Sequence, residues 1–225
     1  MTDRSFDLAG RRVRLLSQEG PELLLLQPVD EHDARGLDRQ WAAMATCPRP
    51  LALAAFSVED WNRDLSPWEA PPVFGKVPFS GGAGETLAFV TGELLPQLRE
   101  ELGGEGDFSL CLGGYSLAGL FALWVATKTE LFRGIAAASP SVWFPGWLDY
   151  ARQHPIRAER VYLSLGDREE RAKNPVMARV GDCIREQYAL LQGDHSATLE
   201  WNPGGHFQDP EERTARAFCW IAGEN

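Results

Sequence analysis

The stretch Phe108-Ser-Leu-Cys-Leu-Gly-Gly-Tyr-Ser-Leu-Ala-Gly-Leu-Phe-Ala-Leu-Trp124 constrains the fold more than any other part of the chain. An apolar run too short for a helix meets Gly113-Gly114, then Tyr115-Ser116-Leu117, then a helix-compatible segment with small residues at Ala118, Gly119 and Ala122. This layout predicts a strand, a sharp turn carrying one serine, and a helix. A serine on such a turn is held out above a sheet edge, and its neighbours must be tiny because strand and helix nearly collide there. The first amide of the new helix points at the same spot and can help hold a developing oxyanion. Ala118 stands where the G-x-S-x-G frame expects its second glycine, and a methyl group is still small enough for the turn. The competing reading makes Ser116 an ordinary helix N-cap. The rest of the chain has to decide between them.

Apolar runs of strand length recur at Leu23–Leu26, Leu51–Phe56, Phe108–Leu112, Ile135–Ala138, Val161–Leu165 and Ala197–Trp201. Helical spacing lies between them. Gly84–Leu102 puts Leu87, Val90, Leu94 and Leu98 on one face, and Asn174–Leu191 does so with Val176, Val180, Ile184 and Tyr188. The second opens with an Asn174 cap and Pro175, and the last helix opens likewise at Asp209-Pro210 and carries Phe218 and Ile221 inward. Strand and helix in alternation predict an α/β fold: a mostly parallel central sheet with helices on both faces, a three-layer sandwich. No linker divides the 225 residues, so one domain over 1–225, with no separate cap, is expected. In such sheets chemistry collects at the carboxyl ends of the strands, and Ser116, Ser139, Asp167 and His206 each follow a predicted strand closely. From Ser57 to Gly82 runs a connection with Pro67, Pro71, Pro72 and the segment Asp60-Trp-Asn-Arg-Asp-Leu-Ser-Pro-Trp68. Its length and tryptophans predict an ordered loop over the serine.

A serine hydroxyl needs a base, and histidine is the usual one. Four histidines are present. His32 lies in the acidic stretch Val29-Asp-Glu-His-Asp33, His154 precedes Pro155 at an apparent helix end, and His195 enters the last strand at its amino-terminal end. His206, in Asn202-Pro-Gly-Gly-His-Phe207, follows that strand, and two glycines permit the tight turn that would return an imidazole over the sheet. A third group should orient the imidazole. Asp167, Glu169 and Glu170, after Val161–Leu165, are all candidates, and their place preserves the order serine, acid, histidine of nucleophile-elbow enzymes. A solvated acidic turn salted with Arg168 and Arg171 is the structural alternative.

A net charge of −10 argues against nucleic-acid binding and against docking on acidic membranes. Cys47, Cys111, Cys183 and Cys219 show no metal-binding or redox spacing, so buried free thiols and a reducing compartment are expected. With no basic start leading into an apolar stretch, a cytoplasmic protein is the expectation. Nothing in the chain suggests a metal site or a cofactor.

Taken together, Trp61–Trp68, Gly113–Gly119, Ala138-Ser-Pro-Ser-Val-Trp143 and Gly204-Gly-His-Phe207 resemble the α/β-hydrolase superfamily, specifically the esterase group related to esterase D and the enterochelin (siderophore) esterases. The likeness runs from about Leu23 to the end. It implies Ser116 as nucleophile, His206 as base, and oxyanion donors from the Leu117 amide and from an amide early in the 57–65 loop, at Val58. It implies Glu169 as the acid, about three residues past the strand-ending glycine, although a serine–histidine pair serves some members of the siderophore branch. Ala118 and the lack of a basic pocket are the departures, and the second speaks against a highly anionic ester.

The function expected is hydrolysis of a small-molecule carboxylic ester through an acyl-enzyme, without cofactor. Trp61, Trp68, Trp143 and Trp147 fall in loops expected to ring the site, either as an apolar acyl pocket or as wedges against the sheet. A thioesterase or acyltransferase would use the same apparatus. A binding domain on a hydrolase fold is the non-catalytic rival, against which the intact serine and histidine speak.

Overall fold

The computed structural model of the protein describes residues 2–73, 75–103, 108–193 and 196–223. Its strands are β1 (Thr2–Leu8), β2 (Arg11–Ser17), β3 (Leu23–Val29), β4 (Leu51–Ser57), β5 (Glu69–Ala70), β6 (Phe79–Ser80), β7 (Ser109–Tyr115), β8 (Gly134–Ala138), β9 (Arg160–Gly166) and β10 (Ser196–Asn202). Eight form one sheet in the order β1-β2-β4-β3-β7-β8-β9-β10, and β5 with β6 makes a separate two-residue ladder. From β4 to β10 every neighbouring pair is parallel; β2 runs antiparallel to β1 and β4. All six apolar runs of the sequence are strands of this sheet.

The helices are α1 (Glu31–Ala43), α2 (Trp61–Asp64), α3 (Ala83–Phe89), α4 (Leu95–Glu101), α5 (Leu117–Lys128), α6 (Trp147–Gln153), α7 (Val180–Ala189) and α8 (Pro210–Ala222). Successive strand residues point to opposite faces, and both faces are apolar. Leu24, Leu26, Leu110, Leu112, Ile135 and Leu163 pack in one cluster with Val90, Leu94, Phe121, Trp147 and Ile184. Leu23, Leu25, Cys111, Ala136 and Tyr162 pack in the other with Leu37, Met44, Ala215, Phe218 and Ile221. The result is the three-layer sandwich, with α1 and α8 on one side and the remaining long helices on the other.

Several elements differ from expectation. The hairpin β1–β2 and helix α1 carry no long apolar run. β1 is an exposed edge strand, and its partner ties it down with ion pairs such as Arg14–Asp3 at 2.9 Å. Ala9 and Gly10, both at positive φ (47° and 80°), make the two-residue turn whose twist matches the strands. The acidic stretch at 29–33 is the head of α1, where Asp30 Oδ1 accepts from the Asp33 amide at 2.8 Å. Burial, with Asp30 beside it, pushes the Asp33 carboxyl up to about 6. Between α3 and α4 the helix widens into a π-turn over Val90–Leu94, because Pro96 lacks an N–H and its ring crowds the carbonyl one turn back. Asn174 does cap its turn, accepting from Val176 N at 2.9 Å, but a 3₁₀ turn follows and α7 starts only at Val180, leaving Val176 exposed.

The cysteine expectation needs correction. Cys47 and Cys219 form a disulfide across 172 residues, while Cys111 and Cys183 are free and buried. Such a pair leaves no spacing signal, since only the packing of α8 beside the 3₁₀ turn Met44–Thr46 brings the sulfurs together. The reducing compartment loses the support of four free thiols. No helix among the described residues is long and apolar enough to cross a membrane.

Candidate active site

β7 ends where the sequence places the sharp turn. Ser116 sits at φ 57°, ψ −119°, a strained conformation for a residue with a side chain. Its amide donates to Ala138 O at 3.1 Å, and its carbonyl accepts from Leu120 and Ser141. The strain is thereby held by β8 and α5 together. A Cβ on Gly114 would lie 2.6 Å from the Ala118 methyl, and one on Gly119 3.1 Å from both Gly114 O and Pro140 Cβ. The alanine of the altered frame fits because Gly114 leaves room for it. The Leu117 amide heads α5, where no intrahelical acceptor exists for it.

His206 Nε2 lies 3.0 Å from Ser116 Oγ, and Nδ1 lies 2.7 Å from Glu169 Oε2. The imidazole is partly open to solvent, with 20% of its side chain exposed, whereas Glu169 is buried at 4%. The other carboxylate oxygen, Oε1, accepts from Gly166 N at 2.7 Å, Ser139 Oγ at 2.9 Å and Arg213 Nη1 at 3.3 Å. Three donors on Oε1 turn Oε2 toward the imidazole. Asp167 instead accepts from the Gly204 amide at 2.8 Å and braces the histidine turn, and Glu170 pairs with Arg185 at 3.0 Å. Of the three acids left open by the sequence, only Glu169 touches His206.

The Ser139-Pro-Ser-Val-Trp143 segment carries more than a likeness. Ser139, itself at φ 41°, reaches the acid. Ser141 Oγ lies 3.3 Å from Ser116 Oγ, and Trp143 walls a cleft of about 220 Å³ with Met177, Val180, His206, Phe207 and the two arginines Arg168 and Arg171. The cleft is thus not devoid of basic residues. Phe207 stands 92% exposed, edge-on to the His206 ring at 5.2 Å. A larger cleft of about 560 Å³ lies beside Trp143 between the segment 142–149 and α7, and neither Ser116 nor His206 lines it.

The remaining site expectations fare differently. The Val58 amide is bonded to Val29 O at 3.0 Å, and the Glu59 amide to Asp64 Oδ2 at 3.0 Å, so the expected donor is already used. The sheet order gives the reason: β3, not β4, flanks the serine strand. Trp147 is fully buried and donates to Gln187 Oε1 at 2.8 Å; Trp68 donates to Pro145 O at 2.9 Å and packs on Phe144; Trp61 is half-buried against the core. These three are wedges. The described residues of the long connection include α2, β5 and β6, and Trp68 and Phe79 in it pack on Phe144 and Tyr150. His32 is exposed, His154 stacks on Tyr150 at 3.9 Å, and His195 lies outside the described residues. Sequence reasoning missed Tyr115 and Arg213. Tyr115 OH donates to His206 O at 2.7 Å and receives Arg213 Nη1 at 3.0 Å. Burial pushes that phenol up, so it remains a donor.

A family model described as "Putative esterase" matches residues 49–198, which takes in Ser116 and Glu169 and stops short of His206. Among solved structures, the chain is similar to an IroE-like serine hydrolase from Shewanella oneidensis, with TM-score 0.78 and 16% identity over 97% of this chain and 79% of that one. It is also similar to the siderophore hydrolases EstA and EstB from Aspergillus nidulans, with TM-scores 0.76 and 0.77 and 18% and 16% identity, each over 98% of this chain and 94% of theirs. No curated protein matches. The family match spans most of the chain on a sheet of α/β-hydrolase plan, and the chain therefore belongs to the esterase family, the carboxylic ester hydrolases.

Proposed function

We propose that the protein hydrolyses small-molecule carboxylic esters through an acyl-enzyme on Ser116, with the whole chain acting as a single hydrolase domain. The observation that carries the reading is the unbroken chain Ser116 Oγ, His206 Nε2, His206 Nδ1, Glu169 Oε2, at 3.0 Å and 2.7 Å. His206 removes the serine proton as Oγ attacks the carbonyl carbon, and the C=O electron pair moves onto oxygen. Collapse of that intermediate expels the alcohol, which takes the proton from His206. Water then attacks the acyl carbon by the same route and frees the acid. Glu169 holds the imidazole with Nε2 toward the serine and stabilises its transient cation.

The Leu117 amide is the first oxyanion donor, typically worth about 3 kcal/mol of barrier. The second comes from the turn after β3, at Val29–Glu31, since elbow enzymes draw it from the strand beside the nucleophile. The cleft at His206 takes the leaving alcohol against Trp143, Met177 and Phe207, with Arg168 and Arg171 able to meet an acidic group on it.

A fluorophosphonate probe and a panel of p-nitrophenyl esters and acyl thioesters test this reading. Wild-type protein should be labelled on Ser116 and should turn over esters; Ser116→Ala should do neither. Labelling absent from folded wild-type protein, or turnover surviving in Ser116→Ala, refutes it. Thioesters cleaved far faster than oxygen esters would move the reaction to thioester hydrolysis at the same serine.

A further inference from the structure

Arg213 takes no part in the proton chain, yet it is the only buried arginine or lysine among the described residues, 2% exposed. It projects from the first turns of α8 into the space behind the acid. Nη1 reaches Glu169 Oε1 at 3.3 Å and the Tyr115 hydroxyl at 3.0 Å, and Nη2 donates to Pro203 O at 2.8 Å. Tyr115 passes the contact on to the His206 carbonyl at 2.7 Å. One guanidinium thus touches the acid loop, the histidine loop and the residue before Ser116. A buried ion pair is a poor device for stability alone, because apolar residues of similar volume serve as well or better. Its fixed fork suits the holding of several oxygens at once.

We propose that Arg213 is a positioning residue for ester hydrolysis, holding Glu169 and, through Tyr115, the His206 loop in the productive arrangement while its charge offsets the field of Glu169 at the imidazole. The inference rests on the serine-esterase reading. The other charged or titratable groups facing His206 are few. Tyr115 comes from β7, Glu169 from the 3₁₀ turn Glu169–Arg171, and Asp167 and Arg168 from the loop after β9, where they bind the Gly204 amide and carbonyl. Arg168 and Arg171 line the exposed cleft. Asp209 heads α8 and pairs outward with Arg39 at 3.6 Å. Arg213 is the one cation among them bonded to Glu169 itself.

The test is the pH profile of kcat/KM on p-nitrophenyl butyrate, a neutral ester, for wild type, Arg213→Gln, Arg213→Lys and Tyr115→Phe, with thermal melts to verify folding. The acid limb of that profile reports the proton on the free enzyme's base. In Arg213→Gln the acid counteracts nothing but the imidazole, so the limb should move up by about half to one pH unit, with kcat down on the order of 10-fold or more and KM within about 3-fold. Arg213→Lys should leave the limb at its wild-type position, since the charge remains, and lower kcat only. A packing role would lower the plateau and leave the limb unmoved in both. A folded Arg213→Gln with wild-type limb overturns the proposal. If that variant does not fold, Tyr115→Phe decides: kcat down roughly 5-fold at unchanged KM supports the proposal, and unchanged kcat overturns it. A wild-type protein that hydrolyses no ester would sink the parent reading instead, which separates the two failures.

Discussion

Glu169→Gln is the substitution whose outcome the geometry fixes most tightly. The side chain keeps its shape, and Oε1 already accepts from Gly166 N, Ser139 Oγ and Arg213. Three donors there require the amide oxygen to take the Oε1 place, which sends the NH₂ group to the Oε2 place, 2.7 Å from His206 Nδ1. An N–H facing Nδ1 demands that Nδ1 accept, so the ring proton moves to Nε2. That proton then points at Ser116 Oγ, 3.0 Å away, and the base can no longer take one. Wrong-tautomer variants of serine–histidine–acid enzymes lose about 10⁴ in kcat. The loss expected here is about 10³–10⁴, or roughly 4–5.5 kcal/mol of barrier at 1.36 kcal/mol per decade. Steady-state hydrolysis of p-nitrophenyl butyrate, with a thermal melt as folding control, measures it. Asp167→Ala and Glu170→Ala, whose carboxylates brace a turn and meet Arg185, should each cost far less. A folded Glu169→Gln within tenfold of wild type would refute the argument, because the serine–histidine pair would then be working without its acid.

Two further outcomes concern stability. The Asp33 carboxyl is held up at about 6, against an ordinary value of 3.8, by burial and by Asp30. A raised acid favours folding fully below its unfolded value and loses that contribution as pH climbs through 6. Asp33→Asn should therefore raise stability by about 1–2 kcal/mol at pH 8 and by little at pH 4; equal gains at both pH values would discredit the assignment. The Cys47–Cys219 bond closes a loop of 172 residues, so chain-entropy arguments give it about 5 kcal/mol as an upper value. Cys47→Ser should lower the melting temperature by several degrees, and thiol titration of the unreduced, denatured wild type should count two thiols. A count of four would remove the bond.

The layered sheet was legible because its strands are short, mostly apolar runs, and because both faces of a central parallel strand must be covered. β1 and α1 were not, since an edge strand rich in Asp and Arg and a helix headed by acids lack that signature. At the site, Ser116 and His206 could be singled out from local turn chemistry: a serine between glycines at a strand end, and a histidine behind Gly204-Gly205 after the last strand. Residue types and spacing left the acid open among Asp167, Glu169 and Glu170. One turn of backbone separates these three carboxylates, and that is enough to aim them at a turn amide, an imidazole and an outward-facing arginine.

What the sequence determined by itself was therefore the alternation that builds the sandwich and the strained turn that lifts one serine above it, both products of interactions within a few residues. The tertiary structure alone decided which carboxylate meets the imidazole, that the Val58 amide is already bonded, that Cys47 finds Cys219, and that Arg213 joins loops from three parts of the chain. Those outcomes depend on strand order and helix docking, and groups up to 172 residues apart in the chain meet with no local pattern to announce them.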